Sequence, residues 1–135
     1  MQLLNGLGYD RLETAIQAAN LRQGVMINNI ANVDTPYFKR SSVSFESMLQ
    51  AEMNDGIPAL RGKRTDVRHF VIGPTNEVPE PVVKMDQSTA MNNNQNNVDI
   101  DSEMTKLAEN QLRYNAYVEQ MNYLIKMKRT AVEGR

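Results

Sequence analysis

The chain has 135 residues, an apolar fraction of 41%, no Trp and only three Phe, which is one domain's worth of chain with a small core. Its 15 basic and 16 acidic residues are scattered along the sequence, so neither a nucleic-acid-binding surface nor a polybasic membrane anchor is expected. The absence of Cys excludes disulfides, thiolate metal sites and a Cys nucleophile, and the single His69 excludes a histidine zinc cluster. No apolar run reaches the roughly 18 residues of a membrane span.

The first predicted element is a long amphipathic helix near the start of the chain. Asp10 and Glu13 have the spacing of a capping box at its beginning, and Asp34-Thr35-Pro36 ends it, since a residue before proline disfavours helical geometry. Positions separated alternately by four and three residues form a heptad line with one polar member, which predicts pairing with another helix. That line comprises Leu12, Ile16, Ala19, Gln23, Met26, Ile30 and Val33.

The middle of the chain shows little sustained periodicity. Ser44 is placed to cap a short helix over 45–54, while 68–72 and 82–84 have the composition of short β-strands. The polar, Asn-rich tract 91–97 is predicted to be a flexible loop that buries nothing.

The last predicted element is a second, longer helix. Asp99, Asp101 and Glu103 in its first turn, and Lys126, Lys128 and Arg129 toward its end, match the helix dipole. Its main heptad line comprises Ile100, Met104, Leu107, Gln111, Tyr114, Val118, Met121, Ile125, Lys128 and Val132.

These patterns predict a mainly α fold in which the two terminal helices, roughly 35 and 50 Å long, pair as an antiparallel coiled coil. Residues 1–38 and 99–135 would contain this coiled-coil pair, and 39–98 an irregular middle segment with a short helix and short strands. A second apolar line has two interpretations: it widens the face buried within one chain, or it contacts neighbouring subunits. On the two helices this line comprises Ala18, Leu21, Val25, Tyr117, Leu124 and Ala131.

No stretch predicts an enzyme, and no cofactor or metal is expected. Asp99 and Asp101 are better explained as cap and dipole partners than as a catalytic carboxylate pair. His69 has no nucleophile, base and oxyanion donor near it in sequence, and Gly6 and Gly8 lack the rest of a phosphate-loop fingerprint.

Residues 28–39, which read NNIANVDTPYFK, carry a recognisable pattern. This resembles the signature of flagellar rod and hook proteins, in which the N-terminal helix ends in N-N-x-A-N-x-x-T-P-x-[YF]-K. Asn amides and a Thr hydroxyl are suited to bonding the backbone that leaves a helix at a proline. The matching positions are Asn28, Asn29, Ala31, Asn32, Thr35, Pro36 and Lys39.

Further landmarks resemble the proximal rod subunits of that family. They are Val43-Ser44-Phe45-Glu46, Thr65-Asp66 with Arg68-His69, Asn96-Asn97-Val98-Asp99-Ile100-Asp101 and the run from Leu107 to Tyr114. One position departs from the pattern. After Pro36 the family often has Gly or Asn, which tolerate a left-handed backbone, whereas this chain has Tyr37, so either the turn differs or the ring makes an added contact.

The resemblance implies a structural subunit of the proximal rod, a hollow shaft that transmits motor torque above the MS ring in the periplasm. Similar proteins leave the cell through the flagellar type III export apparatus, consistent with a first segment that lacks the features of a Sec signal. Expected partners are the other rod subunits, the MS-ring–rod junction protein and the MS ring, with no nucleic acid, small-molecule substrate or membrane insertion. Tyr117 and Leu124 join the two heptad lines as predicted pairing or assembly contacts. The alternatives are a soluble helical-hairpin adaptor or chaperone that binds a partner helix, and another axial rod or hook protein.

Overall fold

The computed structural model describes residues 6–54, 66, 68, 78–88 and 94–134. Two long helices, one short helix and two short strands make up this part of the chain. In chain order they are α1 (Leu7–Ala31), β1 (Ser41–Ser44), α2 (Glu46–Asn54), β2 (Val82–Met85) and α3 (Ile100–Glu133).

The two long helices pack against each other along most of their lengths and run antiparallel. Lys128, near the end of α3, lies 5.2 Å from the ring centroid of Tyr9 at the start of α1. At the other end of the pair, Asn29 of α1 bonds to Glu103 in the first turn of α3. The predicted antiparallel pair of terminal helices in a mainly α fold is therefore confirmed.

The helix ends match the sequence predictions unequally. Asp99 caps α3, because its carboxylate accepts hydrogen bonds from the backbone N–H groups of Asp101 and Ser102. The prediction of a capping box at Asp10 and Glu13 is wrong. The helix α1 begins earlier, at Leu7, and Gly6 precedes it without a side-chain cap. Asp10 lies in the first turn, with its N–H already bonded to the Gly6 carbonyl at 3.2 Å.

The other ends of the two helices also differ from the prediction. α1 stops at Ala31, so Val33 lies in the turn that follows and not on the helix. α3 continues through Glu133 to a C-cap at Gly134, whose φ of 69° is the left-handed geometry that glycine allows. Lys126–Arg129 therefore precede the last turn that they were expected to occupy.

Strands β1 and β2 form a two-stranded antiparallel sheet, with Ser42 opposite Lys84 and Val43 opposite Val83. The strand at 82–84 is confirmed, and α2 matches the short helix predicted over 45–54 to within one residue. Residues 69–72 of the other predicted strand lie outside the described residues, and Arg68 is in a turn, with its N–H bonded to Asp66 Oδ1 at 2.8 Å.

A small apolar core lies where α2 begins beside the helix pair. Phe45 is 2% exposed and packs with the buried Ala15 and Ala18 of α1. Tyr117 of α3, Leu49 of α2 and Val78 cover this cluster. The small side chains on α1 allow α3 and Phe45 to approach its backbone closely.

The line along which α3 faces α1 differs from the predicted main line. Ile100, Met104 and Ile125 are exposed, as are Gln111 and Val132, so they are not part of the buried seam within one chain, and their role in pairing or assembly stays a prediction. Glu103 and Asn110 are buried in their place, because polar groups on α1, together with Arg40 and Lys106, satisfy them. The half-buried residues that continue this line are Leu107, Tyr114, Tyr117, Val118, Met121, Leu124 and Lys128.

On α1, the predicted line does face the rest of the chain as far as Ile30. Ala19 and Met26 are buried, and Leu12, Ile16 and Ile30 are half-buried. Since Ala18 is buried and Tyr117 packs against it, these members of the second line widen the face inside one chain, whereas Leu21 and Ala131 are exposed.

Candidate functional site: the asparagine corner and the outer face of α3

The family-like motif lies at the end of α1, where its polar residues meet β1 and the start of α3. We call this region the asparagine corner and define it by Asn29, Asn32, Asn96 and Asn97. Each of these amides bonds backbone groups of another segment or of the turn that follows α1. Amides suit this position because they both donate and accept without adding charge.

Asn29 holds three elements together from a fully buried position. Its Nδ2 donates to the Ser41 carbonyl at 2.8 Å and to Glu103 Oε2 at 2.9 Å, and its Oδ1 accepts from the Ser41 N–H at 3.0 Å. Both ends of the amide are therefore used, and α1, β1 and α3 are fixed relative to one another.

Other motif residues bond the turn that follows α1. Asn32 donates to the Asn28 carbonyl at 2.8 Å, and the Thr35 hydroxyl donates to Asn32 Oδ1 at 3.2 Å. Lys39 reaches the carbonyl of Gln95 at 3.1 Å, which connects the turn to the segment before α3. These bonds satisfy backbone and side-chain groups that the end of a helix leaves without partners.

Asn96 corrects the expectation that the Asn-rich tract buries nothing. It is 0% exposed, and its Nδ2 lies 2.9, 2.9 and 3.0 Å from the carbonyl oxygens of Asn32, Val33 and Thr35. Its Oδ1 accepts from the Val98 N–H at 2.7 Å. The end of the tract, 94–97, is thus anchored on the turn after α1; residues 91–93 lie outside the described part.

Asn97 extends the corner to the two-stranded sheet. Its Oδ1 accepts from the Arg40 N–H at 2.7 Å, and its Nδ2 donates to the Asp86 carbonyl at 3.0 Å. Since Arg40 and Asp86 flank β1 and β2, one side chain ties both strand ends to the segment that leads into α3.

A chain of ion pairs runs from the sheet to α3 beside the corner. Arg40 lies 3.0 Å from Asp86 and 3.5 Å from Glu103, and Lys106 lies 3.3 Å from Glu103. Glu103 is nearly fully buried, so its two cations and the Asn29 amide compensate for its lost hydration. Ser88, which donates to Asp86, lowers the pKa of that carboxyl below its usual value, and Arg40 adds to the effect.

Asn110 is the second buried polar residue of the helix seam. Its Nδ2 donates to the Ala19 carbonyl of α1 at 2.9 Å, and its Oδ1 accepts from Arg22 Nη1 at 3.3 Å. Arg22 also pairs with Glu46 of α2 at 2.5 Å. A single buried polar residue in a helix seam fixes register, because any slip leaves it without partners.

The side of α3 turned away from α1 carries a line of exposed apolar residues. Leu112 is 72% exposed, and Tyr123 and Met127 are also exposed. With Ala116 they are separated by four, seven and four residues, which places them on one face of the helix. We call this line, Leu112, Ala116, Tyr123 and Met127, the outer face of α3.

A groove of about 330 Å³ opens between α1, β1 and α3. Val25, Met26 and Val43 give it an apolar wall, and basic residues from three segments line it. In the described part of the chain, no three His, Cys, Asp or Glu residues lie close enough to hold a metal ion. No helix in the described ranges is long and apolar enough to cross a bilayer.

Comparisons with known proteins identify the family. The chain is 40% identical over 134 residues to the flagellar basal body rod protein FlgB of Bacillus subtilis, covering 99% of this chain and 98% of that protein. This chain belongs to the FlgB family of flagellar basal body rod proteins. FlgB of Borreliella burgdorferi is 43% identical over 103 residues, covering 73% of this chain and 76% of that protein, and FlgB of Borrelia hermsii is 36% identical over 116 residues. No protein-family model matches the chain.

Membership of the FlgB family confirms the resemblance predicted from the motif and makes the chain a structural subunit of the flagellar basal body rod. Sequence reasoning located Asn29, Asn32, Thr35 and Lys39 but not the burial of Glu103 and Asn110. Their burial could have been inferred from spacing, because Glu103, Asn110, Tyr117 and Leu124 recur every seven residues and so share one line on α3.

Proposed function

We propose that this chain builds the proximal rod by packing the outer face of α3 against neighbouring subunits. The observation that carries the proposal is the exposed apolar line Leu112, Ala116, Tyr123 and Met127, on the side of a 34-residue helix that α1 does not cover. Apolar residues on two sides of one helix suit contact with more than one partner. Ile100, Met104 and Ile125, exposed on its flank, are proposed as further assembly contacts.

In this proposal the paired terminal helices, 1–38 and 99–135, form the inner axial layer of the rod, and 39–98 lie further out. The subunits assemble with other rod proteins and the MS-ring–rod junction protein into a hollow shaft above the MS ring, and the shaft transmits torque. The subunits reach the periplasm through the flagellar type III export apparatus. Support comes from the family and from the length of the pair, about 50 Å along α3.

The alternative of a soluble adaptor for one partner helix is disfavoured by membership of a rod protein family. The alternative of another axial rod or hook protein is disfavoured by the FlgB relatives, one of which matches over nearly the whole chain. The adaptor alternative also predicts a different outcome for self-assembly, because an adaptor should remain a folded monomer or dimer.

Sedimentation velocity of the purified chain, with and without the junction protein, tests the proposal. The wild-type chain should form large complexes with rising concentration or with the partner, and the double variant Leu112→Asp, Tyr123→Asp should lower their yield at least tenfold. Met53→Asp is the control, because Met53 is an exposed apolar residue on α2. A wild-type chain that stays monomeric throughout, or an outer-face variant that assembles normally, would contradict the proposal.

A further inference from the structure

Tyr37 has a backbone conformation that its side chain disfavours. Its φ of 62° is left-handed, and its N–H donates to the Asn94 carbonyl at 3.1 Å, which holds the turn in that geometry. A Cβ atom crowds the backbone there, so glycine would adopt this conformation at lower free energy. The sequence left open whether the turn has a different geometry or the ring adds a contact. The turn keeps the left-handed geometry that Gly or Asn would adopt, so its geometry does not differ.

The side chain of Tyr37 gains nothing visible from this placement. It is 71% exposed, and within the described part of the chain neither its hydroxyl nor its ring has a hydrogen bond or cation contact. Residues held in sparsely populated backbone conformations cluster at functional sites. Tyrosine is also among the residues most enriched at the energetic centres of protein interfaces.

The groove between α1, β1 and α3 has the size and chemistry to receive such a side chain. Its volume of about 330 Å³ is at the small end for pockets that hold small molecules. Val25, Met26 and Val43 provide an apolar wall for a ring. Arg22 and Arg113 at its border provide guanidinium groups for the ring face, and Glu109 a carboxylate that can accept from a phenol.

We infer that Tyr37 of one copy inserts into this groove on a neighbouring copy of the same chain. Tyr37 does not line the groove of its own chain, so donor and acceptor surfaces are different parts of one molecule. Such a head-to-tail contact does not pair two copies symmetrically but repeats, and when it does not close into a ring it gives a helical assembly. The inference rests on the proposed function, because it names a contact within that assembly.

Two matched glycine variants distinguish the effect of losing the Tyr37 ring from the effect of relieving the left-handed backbone. Tyr37→Gly and Gln95→Gly both replace a left-handed residue, since the φ of Gln95 is 61°. Both should raise the urea midpoint of the monomer, but only Tyr37→Gly should weaken self-association in sedimentation, by about tenfold or more. A Tyr37→Gly chain that assembles like Gln95→Gly would overturn the inference and leave the proposed function standing.

Disulfide trapping then tests the partner surface, because the chain contains no Cys. Pro36→Cys copies, which keep the Tyr37 ring and carry the thiol at the exposed residue before it, are mixed with Ser42→Cys copies, since Ser42 is exposed and lines the groove, or with Met53→Cys copies as the control. Oxidation of assembled material should cross-link 36 to 42 and not 36 to 53, as read by mass spectrometry. Absence of the 36–42 link in assembled material refutes the groove as the seat of Tyr37. Failure of the wild-type chain to assemble at all refutes the proposed function and, with it, this contact.

Discussion

At the scale of single residues, buried amides hold the corner where α1 ends. Asn29 and Asn96 are both 0% exposed; Asn29 joins α1 to β1 and α3, and Asn96 bonds the turn after α1. An unpaired buried polar group carries a large free-energy penalty, so each amide favours only the arrangement that satisfies it. The corner therefore specifies how the two long helices meet.

Replacing Asn96 by Asp should destabilise the chain strongly. The substitution exchanges the Nδ2 donor for an oxygen that faces the carbonyls of Asn32, Val33 and Thr35, so bonds become repulsive contacts. We expect a loss of about 3 kcal/mol or more in the free energy of unfolding, measured by urea denaturation. Asn20→Asp is the control, because Asn20 is exposed in the middle of α1, and it should change stability by less than about 0.5 kcal/mol. Equal losses for the two variants would mean that Asn96 does not hold the corner.

Asp86 should make stability depend on pH in acid. The pKa of Asp86 is lowered in the folded chain, chiefly by Ser88 and further by Arg40. The charged carboxylate therefore stabilises the fold at any pH above the pKa that Asp86 has in the unfolded chain. That contribution is complete at neutral pH and is lost as the pH falls through the lowered folded pKa. The difference in urea midpoint between wild type and Asp86→Asn should therefore shrink below about pH 4.

Ser88→Ala is the companion variant for Asp86. Removing the Ser88 hydroxyl should raise the folded pKa of Asp86 toward its usual value, so the stability lost in acid should be smaller than in wild type and should be fully lost at a higher pH. A wild-type versus Asp86→Asn difference that stays constant from pH 7 to pH 2 would contradict the assignment.

The sequence predicted the motif residues at this corner but not their partners. Asn29 and Asn32 follow a helical pattern and precede a proline, which are local signals. Asn96 lies in a polar tract whose composition indicates a solvated loop, while its carbonyl partners are 61 to 64 positions away. Composition describes a segment's neighbours in sequence, and the burial of Asn96 depends on neighbours in space.

At the scale of elements, small residues on α1 set how closely the helices pack. Ala15, Ala18 and Ala19 are buried, and Tyr117 and Phe45 cover the first two. Buried polar residues on α3, Glu103 and Asn110, then fix the register along the seam. Polar hydrogen bonds thus fix the register of α1 against α3, and the alanines allow the two helices to approach closely.

Enlarging one of these alanines should separate the helices. Ala18→Leu adds methyl groups where Ala18 is 1% exposed, and we expect a loss of about 1–3 kcal/mol, measured by urea denaturation. Ala108→Leu makes the same change at an exposed position of α3 and should have little effect. An Ala18→Leu chain as stable as Ala108→Leu would show that this part of the seam is loosely packed.

The heptad spacing predicted both long helices and their antiparallel pairing but misplaced the seam on α3. The predicted line favoured Ile100, Met104 and Ile125 because burial of apolar side chains is the general rule. The actual seam buries Glu103 and Asn110, which is possible because Arg40, Lys106 and backbone groups satisfy them. Periodicity gives the period of a buried face, but partners on other elements decide which polar residues that face can hold.

At the scale of the whole molecule, the described chain has a small apolar core and many exposed apolar side chains. The core centres on Ala15, Ala18 and Phe45, whereas Leu112, Tyr123 and Met127 are exposed along α3. Exposed apolar residues on one face of a long helix are suited to contact with another chain, since exposed apolar patches often mark interaction sites. This distribution agrees with membership of a family of rod proteins.

This chain is a structural subunit of the flagellar basal body rod, and deletion of its gene tests most directly whether the rod requires it. Basal bodies isolated from the deletion strain and imaged by cryo-electron tomography should lack the rod above the MS ring, and the cells should be non-motile. Expression of the wild-type chain in trans should restore both rod and motility. Complete rods and normal motility in the deletion strain would contradict the account.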